Sequence, residues 1–245
     1  MERLKHRETK LLTYGMDSNA DIYAGDIQYF AGHTFYTAHT PKGSISIRVN
    51  LPGAIYVYNS LAAVAAAYCN QFSLQQIAEG IAAVEGIKGR LEVVYEDEDK
   101  KVIVDFAHTE DSLEKALSTI RPFTKGRIIL VFGVYASDGQ SGRDKRLGMA
   151  KVAATFADFA VVTSDNPKEQ DNNLIIREIV EGIEAYKGSY ETIIDRKSAI
   201  EFALKLCQKG DVVLIAGKGH ETSQIIGKTE IPFNEAEIVR DIMLK

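Results

Sequence analysis

From about Ile103 onward, short apolar runs rich in branched residues alternate with amphipathic stretches of helical period. The runs Val102 to Val104, Ile128 to Phe132, Phe159 to Val162, Thr192 to Ile194 and Val212 to Ala216 predict strands. Between them, Leu113, Ala116, Leu117 and Ile120, and then Ile176, Ile179, Val180 and Ile183, recur at i, i+3, i+4, i+7, which places each set on one helix face. Strands alternating with helices predict an α/β fold, a mostly parallel sheet covered on both faces.

The first ninety or so residues follow another pattern. Thr34 to Ala38 and Ser44 to Val49 read as strands around a Pro41-Lys42-Gly43 turn, followed by an alanine-rich helix from about Asn59 to Tyr68 and a second from about Ser73 to Val84. The change of pattern predicts two units, 1–89 and 90–245, with Gly86-Ile87-Lys88-Gly89 as the hinge. A strand pair and two helices offer a poor core for so many residues unless they complete a sheet begun by residues outside the chain, so a truncated first unit is expected.

Composition narrows the function classes. The chain has 245 residues, 45% of them hydrophobic, and a net charge of −5, so it can bury a sizeable core but exerts no long-range attraction on nucleic acid or an anionic membrane. Residues 1–89 carry seven basic and seven acidic side chains against 22 and 27 in 90–245, so the acidity lies in the second unit. Cys69 and Cys207 each sit among apolar residues at helical spacing and read as two reduced core thiols, which makes a cytoplasmic location the default. No apolar stretch reaches the ~18 residues of a membrane span, and no signal-peptide core follows the charged opening. His6, His33 and His39 have no partners at metal-ligand spacing, so no metal site is read.

Three segments that follow predicted strands could carry chemistry, on the side where open α/β sheets bind ligands. Asp105-Phe106-Ala107-His108-Thr109 is as readily a capped strand-to-helix turn as a ligand site, with Asp111 and Glu114 suiting a helix start. Ser164-Asp165-Asn166-Pro167-Lys168 has the composition of a common turn, yet Asp165, Asn166 and Lys168 together could meet the ammonium and carboxylate of a zwitterion. Gly217-Lys218-Gly219-His220-Glu221 fails the dinucleotide fingerprint because Thr222 stands where its third glycine belongs. Gly227-Lys228-Thr229 fails as a Walker loop for the same lack of a glycine at 222. The polar segment from Tyr135 to Gly142 closes on Arg143, Asp144, Lys145 and Arg146, a cluster that reads as a solvated helix start.

Taken in order with Leu12-Thr13-Tyr14-Gly15, Leu51-Pro52-Gly53, Val57-Tyr58-Asn59-Ser60-Leu61-Ala62-Ala63, Gly89-Arg90-Leu91-Glu92 and Val131-Phe132-Gly133, these segments resemble the Mur ligases over nearly the whole chain. The likeness is strongest to the tripeptide synthetases that add diaminopimelate or lysine. It implies a Rossmann-like C-terminal domain at 90–245 preceded by the end of the central ATPase domain at 1–89, with the UDP-binding domain and phosphate loop missing. The implied reaction is ATP-dependent, Mg2+-assisted amide formation in peptidoglycan synthesis: a carboxylate of UDP-MurNAc-L-Ala-D-Glu becomes an acyl phosphate that a free amino acid attacks. This chain alone is then expected to be inactive.

Residue by residue, the resemblance implies that Asn59 contacts adenine, Arg90 the nucleotide phosphates and Asp105 the ribose, with His108 beside the nucleotide. Asp165, Asn166, Gly217 and Glu221 would hold the incoming amino acid, Glu221 pairing its distal ammonium. Arg143 stands as the counterpart of a substrate-binding arginine. Lys168 would meet the α-carboxylate, although the family's diaminopimelate enzymes carry arginine there and lysine lacks its planar fork. Phe106 and Glu110 also depart from the family pattern, and the alternative is a divergent paralogue or a non-catalytic nucleotide- or amino-acid-binding subunit.

Overall fold

The computed structural model describes residues 11–244, which form two compact units divided between Gly86 and Ile87. In the first unit, β1 (Tyr14–Gly15), β2 (Ile22–Tyr29), β3 (Thr34–Thr40) and β4 (Gly43–Val49) form one sheet in that order, antiparallel except for the β1–β2 pair. Alternate residues Tyr36, Ala38, Ile47 and Val49 are buried, as a sheet with one covered face requires. Helix α1 (Ala54–Cys69) packs on β2, β3 and β4 and buries Val57, Leu61 and Val64, while α2 (Leu74–Ala82) starts in a capping box between Ser73 and Gln76.

Helix α1 begins five residues before Asn59, because Tyr56 and Val57 lie on the same buried stripe as Leu61 and Val64. Cys69 is exposed at the end of that helix, so only Cys207 is a core thiol. Strand β2 escaped the periodicity reading since Asp26, at φ 51°, marks a bulge between Gly25 and Gln28 that breaks the alternation.

The second unit is built on a six-stranded sheet of order β5-β6-β10-β7-β8-β9, all parallel except the edge strand β5. The strands are β5 (Glu92–Glu96), β6 (Lys101–Asp105), β7 (Ile128–Phe132), β8 (Phe159–Val162), β9 (Tyr190–Thr192) and β10 (Val212–Ala216). Every residue of β7 and β10 is buried, which is why both read as continuous apolar runs. Val102, Val104, Ile129, Val131, Val213 and Ile215 pack on α6 (Arg196–Leu206) and α7 (Glu235–Met243), while α3 (Glu110–Ile120), α4 (Gly139–Phe156) and α5 (Asn172–Ala185) pack side by side. A hairpin of β11 (Ser223–Ile226) and β12 (Thr229–Pro232) follows β10.

Strand β9 lies two residues before the expected Thr192 to Ile194, because Ile194 has left the sheet, is exposed and gives its carbonyl to Ser164. Helix α4 starts at Gly139, so the polar loop is shorter than expected, and Arg146 is buried rather than solvated. Among the described residues no helix is long and apolar enough to cross a membrane.

At the N-terminal edge of the sheet, the buried Asp211 carboxylate accepts hydrogen bonds from Arg127 N, Nε and Nη2 and from Gln208 N. Burial alone would raise its pKa, but these donors outweigh it and hold the carboxyl below its ordinary 3.8. A depressed carboxylate stabilises the fold above its unfolded pKa and ceases to do so as pH falls through the folded value. Asp211→Asn is therefore expected to cost about 2–4 kcal/mol at pH 7. In urea melts across pH, the gap between variant and wild type should close in acid, below about pH 3.8; a gap that widens there would refute the account.

Candidate functional site

Parallel strands β6, β7, β8 and β10 end on one edge, and their following loops carry the candidate residues. Strand β10 lies between β6 and β7 although it is the last of the six in sequence, so the loop after it emerges between those that follow β6 and β7, on the edge where open α/β sheets bind ligands.

On the β6 side, Asp105 closes its strand almost fully buried and accepts from Leu91 N (2.7 Å) and Ala107 N (2.8 Å). Burial raises its pKa, with the two amides and Arg90 opposing. Both carboxylate oxygens thus fasten loop to strand. The Arg90 guanidinium lies 4.5 Å from the Phe106 ring centre, and Phe106 packs at 4.5 Å on His108 and 5.1 Å on His220. His108 also approaches Tyr135 at 6.0 Å, over whose ring Lys145 Nζ stands at 3.4 Å. His108 Nδ1 is 2.9 Å from the Phe106 carbonyl, and Thr109, rather than Asp111, caps α3 through a box with Ser112. The result is a surface of flat rings flanked by two cations, suited to a base and phosphates. Asn59 is exposed on α1 of the other unit.

On the β8 side, the loops after β8 and β10 are bonded directly to each other. Asn166 Oδ1 accepts from Lys218 Nζ (3.0 Å) and Ile225 N (3.0 Å), and its Nδ2 donates to Glu221 Oε2 at 3.3 Å. Lys218 Nζ reaches the same Glu221 oxygen at 2.8 Å although the lysine is fully buried. Gln224, also buried, donates to the Asp165 carbonyl at 2.7 Å. Asp165 is only 5% exposed, yet among the described residues its carboxylate takes part in no hydrogen bond or ion pair. Behind it Gly217, at φ +122°, leaves room that a side chain would fill: a Cβ there would stand 2.7 Å from Asp165 Oδ2.

The structure thus brings together Asp165, Asn166, Gly217 and Glu221, and separately Arg90, Asp105 and His108. Two other expected residues stand apart. Lys168 is exposed, and its backbone pairs with the β11 strand at Ile225 and Gly227. Arg143 donates to Glu178 and Glu181 on α5. Sequence reasoning passed over Lys218, the cation that does meet Glu221, although the i,i+3 spacing of the two was legible. It also passed over Arg196 and Glu235, a fully buried ion pair that no local pattern reveals. Among the described residues, no group of three or more His, Cys, Asp or Glu side chains could hold a metal ion.

The family described as Mur ligase, glutamate ligase domain matches residues 89–219, and the Mur ligase middle domain matches residues 1–67. A UDP-N-acetylmuramoyl-L-alanyl-D-glutamate--2,6-diaminopimelate ligase of Geobacillus thermodenitrificans is 45% identical over 94% of this chain and 46% of its own length. The enzyme of that name from Oceanobacillus iheyensis is 43% identical over the same shares. A solved structure of a ligase with the same name superposes with a TM-score of 0.64 at 33% identity, covering 96% of this chain and 47% of that one. The chain spans about half the length of the curated relatives it matches.

Proposed function

The chain belongs to the Mur ligase family, and from that premise we propose that it is part of an ATP-dependent ligase that adds diaminopimelate to UDP-MurNAc-L-Ala-D-Glu. The observation that carries the substrate reading is the cluster at the ends of β8 and β10: a nearly buried Asp165 carboxylate, unpartnered among the described residues, beside Asn166 and Glu221, an arrangement that welcomes an ammonium group. The names of the relatives favour diaminopimelate over lysine. The second unit, from Ile87 onward, is the C-terminal, amino-acid-binding domain, and the first unit is the end of the central, ATP-binding one.

In this reading ATP would supply the phosphoryl group that activates the peptide carboxylate, with Mg2+ accompanying it. Arg90 meets phosphate, His108 and Phe106 offer ring faces to the nucleotide, and Asp105 holds the Gly89–Leu91 loop so that Arg90 is presented. Asp165 receives one ammonium of the amino acid and Glu221 its distal one through the oxygen that Lys218 leaves free. The domain's contribution is positioning of amine and nucleotide rather than proton transfer.

Calorimetric titration of the chain tests the reading. Diaminopimelate should bind more tightly than lysine or alanine, and Glu221→Gln should weaken it about tenfold or more while ADP affinity stays within about twofold, because a charge-assisted contact is lost on the amino-acid side alone. Equal affinity for all three amino acids, or parallel losses for diaminopimelate and ADP, would defeat it.

A further inference from the structure

Arg196 is the largest fully buried side chain among the described residues, and its partner Glu235 is equally withdrawn from solvent. Asp195 caps α6 by accepting from Ser198 N, so Arg196 sits in a fixed first turn. From there its guanidinium donates Nε to Glu235 Oε1 (2.7 Å), Nη1 to the Ser164 carbonyl (3.1 Å) and Nη2 to the Ala216 carbonyl (2.8 Å).

Those carbonyls are not neighbours in the sheet: Ser164 follows β8, Ala216 ends β10, and β7 lies between them. They are also the last residues before the two loops of the amino-acid cluster, Asp165-Asn166 on one side and Gly217 to Glu221 on the other. The guanidinium stands close behind that cluster, since a Cβ on Gly217 would lie 3.7 Å from Arg196 Nη2. A buried ion pair is often replaced by apolar residues of similar volume without loss of stability. An apolar pair cannot grip two carbonyl oxygens across an intervening strand. A planar fork with several donors can.

We propose that Arg196, anchored by Glu235, is a positioning residue of the amino-acid site. It sets the spacing of the β8 and β10 loops, and with it the geometry in which Asp165, Asn166 and Glu221 meet a diamino acid. The proposal rests on the amino-acid site described under the proposed function. Its physical content, the spacing of two loops, can be read without a ligand.

The test compares the wild-type chain with Arg196→Met/Glu235→Leu, which removes both charges at once, and with Arg196→Lys, which keeps the charge and loses the fork. Thermal melts establish folding, amide NMR spectra report residues 164–166 and 217–221, and calorimetry with diaminopimelate reports the site. In whichever variant folds, the loop amides should broaden or shift while those of the sheet hold, and affinity should fall by about tenfold or more, as displaced binding groups entail. A folded variant with wild-type loop spectra and wild-type affinity overturns the proposal. If the wild-type chain binds no diaminopimelate and the loops still loosen in the variants, the substrate reading fails and the positioning role stands. If neither binding nor loop change is seen, both fall.

Discussion

Gly89→Ala is expected to lower the stability of the second unit by about 2–4 kcal/mol and to displace the loop that ends in Glu221. Gly89 has φ +68°, a region that costs a non-glycine residue energy before any contact is considered. A Cβ there would also lie 2.2 Å from His220 N and 2.5 Å from the Gly219 carbonyl carbon, both backbone atoms that no rotamer change can move. Gly219, at φ +57°, returns the contact: its Cβ would come within 2.8 Å of Gly89 O, which already accepts from Phe106 N. Two glycines therefore let the Arg90 loop and the loop after β10 cross backbone to backbone. Gly80→Ala is the control, since nothing lies within 4 Å of its Cβ position in α2 and alanine should gain about 0.5–1 kcal/mol there. Urea melts of both variants decide the matter, and a Gly89→Ala midpoint matching wild type would remove the crossing from the account.

Glu178→Ala should cost about 3–5 kcal/mol, because it strips a buried guanidinium of its partner. Arg146, 4% exposed, donates Nε to Glu178 Oε2, while Arg143 donates to Glu178 Oε1 at 3.0 Å. Burial alone would raise the Glu178 pKa, but the two arginines outweigh it and hold the carboxyl below its ordinary value. With the carboxylate gone, Arg146 keeps only the Ser137 carbonyl. Arg146→Met/Glu178→Leu should recover most of the loss, since the cost arises from the unpaired charge. If the double variant melts no higher than Glu178→Ala, the loss lies in the packing of α4 on α5 instead.

Strands β7, β8 and β10 were legible to the residue in the sequence, because a strand buried on both faces must be apolar at every position and its ends are marked by polar turns. The same holds for the hydrophobic faces of α3 and α5, whose 3.6-residue period is a property of the local chain. The segments at 12–15, 51–53, 57–63, 89–92, 105–109, 131–133, 163–168 and 216–221, taken in order, carried the family resemblance, which the matches over residues 1–67 and 89–219 bear out.

Tertiary structure decided what depends on residues distant in sequence. The bulge at Asp26 hid β2, and the packing of Tyr56 and Val57 on a sheet made helix from residues that locally suit a strand. Charge identity alone could not say which cation meets Glu221: Lys168 and Lys218 both follow strand ends, but Lys168 is turned out along β11 while Lys218 is drawn in between Asn166 and Glu221. Arg143 and Arg146 belong to one charged run, yet helix α5 supplies the carboxylate that binds both and buries the second. Nothing in the sequence around Arg196 marks it, and only the insertion of β10 between β6 and β7 sets the Ser164 and Ala216 carbonyls within its reach. Periodicity is written in neighbours along the chain, whereas the partner of a buried charge is chosen by strand order, and strand order leaves no mark on the local sequence.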